Sequence, residues 1–167
     1  MQFRQLERIR RFQLDAGLIY PRGLDTSGTV VTPLYDEKLA LVGVLGLLGD
    51  DPVPSWPTIA GLPLCLLQRG MRGRDLLDET VAAHDVQLDP RIETDSIAGL
   101  IALVRTGRWA TIVPRTWVPE TESEGLRCVL LAVAGAHVAL VRADAEPASV
   151  LTAAFEREVR DARAVHS

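Results

Sequence analysis

Leu64-Cys65-Leu66-Leu67-Gln68-Arg69-Gly70-Met71-Arg72-Gly73-Arg74 begins the stretch that decides the fold, which runs on to Pro114. Leu64 to Leu67 is a short apolar run, and Gly70 to Arg74 is an arginine-rich turn. A helical pattern then extends from about Asp75 to His84, and Arg91-Ile92-Glu93-Thr94 alternates as a strand does. Asp95-Ser96 caps an apolar helix that ends at Arg105-Thr106-Gly107, and Trp109-Ala110-Thr111-Ile112-Val113 closes the unit at Pro114. Strands alternating with helices of this length predict an α/β fold with a mostly parallel sheet and helices on its faces. Ligands of such sheets bind at the carboxyl ends of strands, where polar turns meet helix N-termini. Both polar turns of this stretch fall at such ends, so the pattern points to a small-molecule receptor.

Working outward, the chain has 167 residues, 47% of them hydrophobic. That is enough for one substantial core or two small lobes. The formal net charge is -4. Non-specific DNA affinity comes mainly from basic side chains on phosphates, so this polypeptide by itself is a poor DNA binder. Cys65 and Cys128 each sit inside an apolar run, and buried free thiols are their expected state. A sequence without a disulfide framework fits a reducing cytoplasm. The N-terminal Met-Gln-Phe-Arg-Gln-Leu-Glu-Arg is charged and lacks the apolar centre of a signal peptide. The longest apolar run, Leu39 to Leu48, falls well short of the about 20 residues that a membrane span needs.

Leu6, Ile9 and Phe12 share one helical face, with arginines at 4, 8, 10 and 11 around them, which predicts an amphipathic helix. Leu14 to Tyr20 reads as a buried strand, Thr29 to Leu34 as a second and Glu37 to Val44 as a third. The glycines at 43, 46 and 49 read as a flexible turn after a strand. Ser55 is the expected N-cap of a short helix, with Pro57 in its first turn and Gly61-Leu62-Pro63 as its stop. Beyond Pro114 come an acidic loop from Glu120 to Glu124, strands at Leu126 to Val133 and Val138 to Val141, and a last helix from near Pro147 to about Ala164. Val150, Leu151, Ala154, Phe155 and Val159 form that helix's apolar stripe. No internal repeat or long linker divides the chain, so two lobes would have to be interwoven.

The order of these segments resembles the LysR-type transcriptional regulators. Gln13 to Tyr20 resembles that family's "G-x-L-D-x-A-I" strand, and Thr32 to Val42 its "P-L-x-x-E-x-L-x-L-V" segment. Leu62-Pro63-Leu64-Cys65-Leu66-Leu67 is similar to "L-P-x-I", and Leu103 to Pro114 to "L-V-x-x-G-x-G-I-x-x-L-P", with Trp109 where many members have glycine. The four motifs keep the family's order and spacing across roughly residues 6 to 160. The resemblance covers the later part of the effector-binding domain. It implies that a winged helix-turn-helix and the domain's first strand, helix and strand come from outside this chain. It further implies a type 2 periplasmic-binding-protein-like fold, with two α/β lobes joined by two crossover strands. Residues 1–38 plus 137–167 would form lobe I, incomplete, and residues 39–136 lobe II. A first lobe without its opening strand is expected to be less stable than an intact one, because backbone groups and core side chains are left uncovered.

Arg69, Met71, Arg72 and Arg74 cluster at a helix N-terminus, where N–H groups and guanidinium forks favour an anion. The competing reading is a solvated turn, or an arginine paired with Asp75 or Asp78. Thr94, Asp95 and Ser96 are explained by helix capping alone, and the resemblance adds that this turn borders the effector cleft. By the same resemblance Tyr20 and Pro21 end a strand that faces the cleft. The expected ligand-binding set is therefore Tyr20, Arg69, Met71, Arg72, Thr94, Asp95 and Ser96. Trp109 and Thr111 read as core or cleft wall, Trp56 and Trp117 as packing or surface residues.

Enzyme readings find little support. His84, His137 and His166 show no metal-ligand spacing, and there is no G-x-S-x-G elbow, dinucleotide fingerprint or P-loop. No catalytic residue, metal or cofactor is expected. The expectation is a cytoplasmic effector-sensing domain, a homodimer or tetramer, that meets DNA only through a helix-turn-helix absent from this chain. The alternative is a free-standing solute-binding protein, or a truncated regulator without DNA binding. A secretion signal would favour the former alternative.

Overall fold

The computed structural model describes residues 2–118, 125–133, 135–145 and 150–165. The acidic loop expected at 120–124, Pro147 and His166 lie outside these residues. The chain folds as two compact units, Met1–Glu37 with Ala136–Ser167, and Lys38–Gly135. Among the described residues no helix is long and apolar enough to cross a membrane.

The first unit contains α1 (Gln2–Arg10), β1 (Ala16–Ile19) and β2 (Thr29–Glu37), and later β8 (Ala136–Ala143) and α6 (Val150–Val165). Its sheet has the order β1-β8-β2, and β8 is antiparallel to both neighbours. Leu6 and Ile9 of α1 are fully buried against Ile19 and Val141. The alternation of β1 buries Gly17 and Ile19 and leaves Leu18 exposed, so the strand is buried on one face only. Pro33 sits where the β2–β8 register shifts, which spares the ladder the amide hydrogen that proline lacks.

Phe12 does not share the buried face of Leu6 and Ile9; it lies beyond α1 and is 73% exposed. The helix closes in a Schellman arrangement, with Phe12 N–H donating to the Ile9 carbonyl at 2.9 Å and Gln13 N–H to the Arg8 carbonyl at 2.8 Å. That closure needs a left-handed residue, and Phe12 supplies it at φ 54° where glycine is usual. The expected stripe of α6 is also only partly realised, since Val150 and Phe155 are exposed.

The second unit contains β3 (Leu39–Val44), α2 (Leu45–Leu48), α3 (Trp56–Ala60), β4 (Cys65–Leu67), α4 (Arg72–Ala82), β5 (Ile92–Thr94), α5 (Ile97–Arg105), β6 (Thr111–Pro114), a 3-10 turn (Arg115–Trp117) and β7 (Leu126–Leu130). β6 and β7 flank β3 antiparallel, and β4 pairs with β5 in parallel. A parallel bridge between Leu64 and Ala110 joins the two sets, with Cys65 N–H on the Ala110 carbonyl at 2.9 Å and Ala110 N–H on the Pro63 carbonyl at 3.1 Å. The resulting order is β5-β4-β6-β3-β7, in which β3 alone runs against the others. Such strands are covered on both faces and read as continuous apolar runs, as Leu64 to Leu67 and Thr111 to Pro114 do. Ala40, Val42, Cys65, Leu67, Leu100, Val104 and Val113 form the core beneath. Ser55 caps α3 as its sequence predicts, accepting the Thr58 N–H. The glycine-spaced segment after β3 is helical rather than a flexible turn: α2 follows β3 directly, and Leu48 folds back over Gly43.

Candidate functional site

The register Cys65↔Ile92, Leu66↔Glu93, Leu67↔Thr94 ends β4 and β5 level with each other. The Gln68 N–H donates to the Thr94 carbonyl at 2.9 Å and continues the pairing one residue into the loops. The turn carrying Arg69, Met71 and Arg72 is thereby set beside the turn carrying Thr94, Asp95 and Ser96. Six of the seven expected ligand residues are in this way brought to one end of one parallel strand pair. Tyr20 belongs to the first unit, where its hydroxyl donates to the buried Glu37 carboxylate.

Each turn runs into a helix N-terminus, and the two are finished differently. Gly70, at φ 86°, makes the left-handed bend that Met71 and α4 follow. Met71 is the N-cap of α4 and makes no side-chain capping bond. Its place in the cluster comes from its backbone and from half-burial against the unit's core. Ser96 is the N-cap of α5 and its hydroxyl accepts the Gly99 N–H at 3.0 Å, while the Thr94 hydroxyl accepts the Ser96 N–H at 3.1 Å. Thr94 and Ser96 therefore build their own turn. Asp95 and Ser96 are exposed and Thr94 is half-buried.

The three arginines have separate fates. Arg69 is exposed on the turn. Arg72 is half-buried, with Nη1 on Glu79 at 3.0 Å. Arg74 turns inward and its side chain is 1% exposed. Its Nε donates to Asp78 at 2.8 Å, and its Nη1 donates both to Glu93 at 2.6 Å and to the Leu67 carbonyl at 2.8 Å. Burial by itself disfavours the charged guanidinium, but its hydrogen bonds to the Asp78 and Glu93 carboxylates outweigh it and raise the pKa above its ordinary value. Pairing with Asp78 is visible in the sequence as an i,i+4 spacing. The reach to Glu93 and to the β4 backbone is not, because it depends on which strands become neighbours.

Other expected positions pack as their chemistry requires. Gly73 lies under Trp117 and Leu67, and a Cβ there would stand 3.1 Å from a side-chain carbon of each. Trp109 is half-buried against the unit's core, and Thr111 is fully buried. Trp56 stacks at a tilt on His84, with ring centroids 5.5 Å apart. Both cysteines are free, Cys65 buried and Cys128 half-buried. Burial pushes the Cys65 thiol up to about 11, against a smaller opposing effect of the nearby Thr111 hydroxyl. Burial also raises Cys128, partly offset by Arg115. Neither thiol has the lowered pKa of a reactive cysteine. Among the described residues, no group of three His, Cys, Asp or Glu side chains could hold a metal ion.

A family model described as LysR substrate binding domain matches residues 1–164. Solved structures share the fold at low identity. The regulatory domain of CcmR from Synechocystis PCC6803, in complex with 2-PG, superposes with a TM-score of 0.73 at 16% identity, over 96% of this chain and 79% of that one. A reduced form of OxyR from N. meningitidis gives 0.73 at 19% identity, over 95% and 75%. CbnR, a LysR family transcriptional regulator, gives 0.72 at 17% identity over 96% of this chain, which spans 56% of CbnR's length. No curated protein matches the sequence. A family match over nearly all its length, on a two-unit α/β fold shared with LysR regulatory domains, places this chain in the LysR substrate-binding-domain family.

Proposed function

We propose that this chain is the effector-sensing part of a LysR-type transcriptional regulator, and that its effector is a small anionic metabolite held at the paired turns 69–72 and 94–96. The observation that carries the reading is the level ending of β4 and β5, which gathers two helix N-termini at one sheet edge. Such edges are where open parallel sheets bind ligands. Because Arg72 and Arg74 already hold carboxylates, Arg69 and the α4 N-terminus are the main source of positive potential there. Tyr20 is a further proposed contact. The two units, close to 1–38 plus 137–167 and 39–136, act as the two lobes of the effector domain. An effector that prefers one state of the regulator shifts the population toward it. DNA contact falls to a helix-turn-helix outside these residues, in keeping with the net charge of -4. Full-length CbnR, of which this chain spans 56%, has been seen complexed with its target DNA. The regulator works as a cytoplasmic homodimer or tetramer and performs no catalysis.

The test is thermal-shift screening of acetate, succinate, citrate and inorganic phosphate on the wild type and on Arg69→Ala and Arg72→Ala. At least one anion is expected to raise the wild-type Tm in a saturable way, with the rise reduced in Arg69→Ala. Equal shifts in all three proteins would defeat the anion site.

A further inference from the structure

We infer that Arg74 is a positioning residue for the effector site: its buried guanidinium holds the β4 turn, the β5 end and the first turns of α4 in one fixed arrangement. The inference rests on the function proposed above for the binding arm of its test, and on the geometry alone for the other arm.

The three acceptors of Arg74 come from three different elements. The Leu67 carbonyl is the last of β4, directly before the turn that carries Arg69 and Met71. Glu93 lies on β5, one residue before Thr94. Asp78 lies one helical turn further along α4. Only a forked, planar cation directs separate N–H vectors at three such targets. A lysine ammonium could satisfy one or two of them from a single atom.

The burial is uneven, and this separates positioning from simple stability. The Arg74 side chain is 1% exposed, whereas Asp78 and Glu93 are 41% and 40% exposed. Both carboxylates can recover water if the arginine is lost, and the sheet beneath keeps its own hydrogen bonds and apolar core. What is lost is a tie between the β4 turn and the β5 end. The Arg74 bridge there adds to the Leu67–Thr94 strand pairing and the Gln68–Thr94 backbone bond. A binding site spread over two loops tolerates little relative movement, since misplacement by about 1 Å can lose about a hundredfold in function.

The experiment compares the wild type with Arg74→Lys, Arg74→Met and Asp78→Asn. Amide hydrogen exchange reads the turns directly, and calorimetry with the anion that shifts the wild-type Tm reads binding. Arg74→Lys is expected to keep a Tm near the wild type, to exchange faster at Gln68 and Ser96 but not in β3, and to bind the anion about tenfold more weakly. Asp78→Asn, which retains the Leu67 and Glu93 contacts, is expected to stay close to the wild type in both. If Arg74→Met fails to fold, Arg74→Lys carries the test. Unchanged exchange at Gln68 and Ser96 in Arg74→Lys overturns the inference, as does wild-type affinity despite faster exchange. If no anion binds the wild type, the effector reading fails by itself and the exchange data still decide the role of Arg74.

Discussion

Ser96 separates capping from ligand recognition in one pair of substitutions. Its hydroxyl accepts the Gly99 N–H at 3.0 Å and starts a helix that buries Leu100, Ile101 and Val104. Ser96→Ala removes that acceptor, and loss of such a cap costs about 1 kcal/mol. In a chain of this size each kcal/mol moves the Tm by about 2–4 °C, so a fall of about 2–4 °C is expected by differential scanning calorimetry. Ser96→Asp keeps an acceptor and adds a negative charge where the helix dipole favours one, so its Tm should equal or exceed the wild type. The same charge opposes an anionic effector. Two like charges about 6 Å apart at an effective dielectric of about 20 repel by about 3 kcal/mol, or about a hundredfold in Kd. Titration calorimetry with the anion that raises the wild-type Tm should therefore show near-normal stability and severely weakened binding in Ser96→Asp. Wild-type affinity in that variant would refute an anion at this turn, and an unshifted Tm in Ser96→Ala would refute the capping role.

Further expectations follow from burial and backbone geometry. Leu100→Ala, which opens a cavity at a fully buried site, should lose about 2–5 kcal/mol in urea denaturation; a loss under about 1 kcal/mol would mean the core collapses to fill it. Phe12→Gly should gain up to about 1 kcal/mol, because it relieves a left-handed phenylalanine whose ring is mostly exposed; a lower urea midpoint would show that the exposed ring makes a compensating contact. The Cys65 thiol titrates near 11 when folded instead of near 9, so the native state holds a proton that the unfolded state releases. Its contribution is complete below about pH 9 and is lost as pH rises toward about 11. The pH slope of stability in that window should be shallower in Cys65→Ala, and identical slopes would contradict the burial effect. Ellman's reagent at about pH 8 should react slowly with the native chain and quickly with the denatured one.

How legible the molecule was in its sequence differs from element to element. The 64–114 stretch was readable because β4 and β6 are largely apolar runs and α5 carries local marks at both ends, Ser96 as its cap and left-handed Gly107 just past its close. Phe12 was misread because helical periodicity carries no mark of where the helix ends, and no glycine announced the left-handed residue. The glycine spacing at 43–49 misled in the opposite sense, since Leu45, Leu47 and Leu48 have enough helix propensity to form one turn between the glycines. At the site, the two turns were visible as composition. Their adjacency was not, because it follows from the β4–β5 register. The arginines looked alike in sequence, yet one is solvated, one is paired on the helix surface and one is buried, and long-range acceptors such as Glu93 decide which.

The sheet of the second unit has a seam. Among the described residues, β4 and β5 are hydrogen-bonded to β6 only through the short bridge at Leu64 and Ala110, and Arg74, Leu67, Asp78 and Glu93 all lie on the same side of it. The two turns proposed to hold the effector, and the arginine that braces them, thus lie on one uninterrupted stretch of chain. If the proposed function holds, a regulator built this way would exchange its chemical signal by inheriting a new segment between the bridge residues while leaving its remaining sheet unaltered. Chimaeras spliced at 64 and 110 between members with different effectors are the natural place to look for that transfer of specificity.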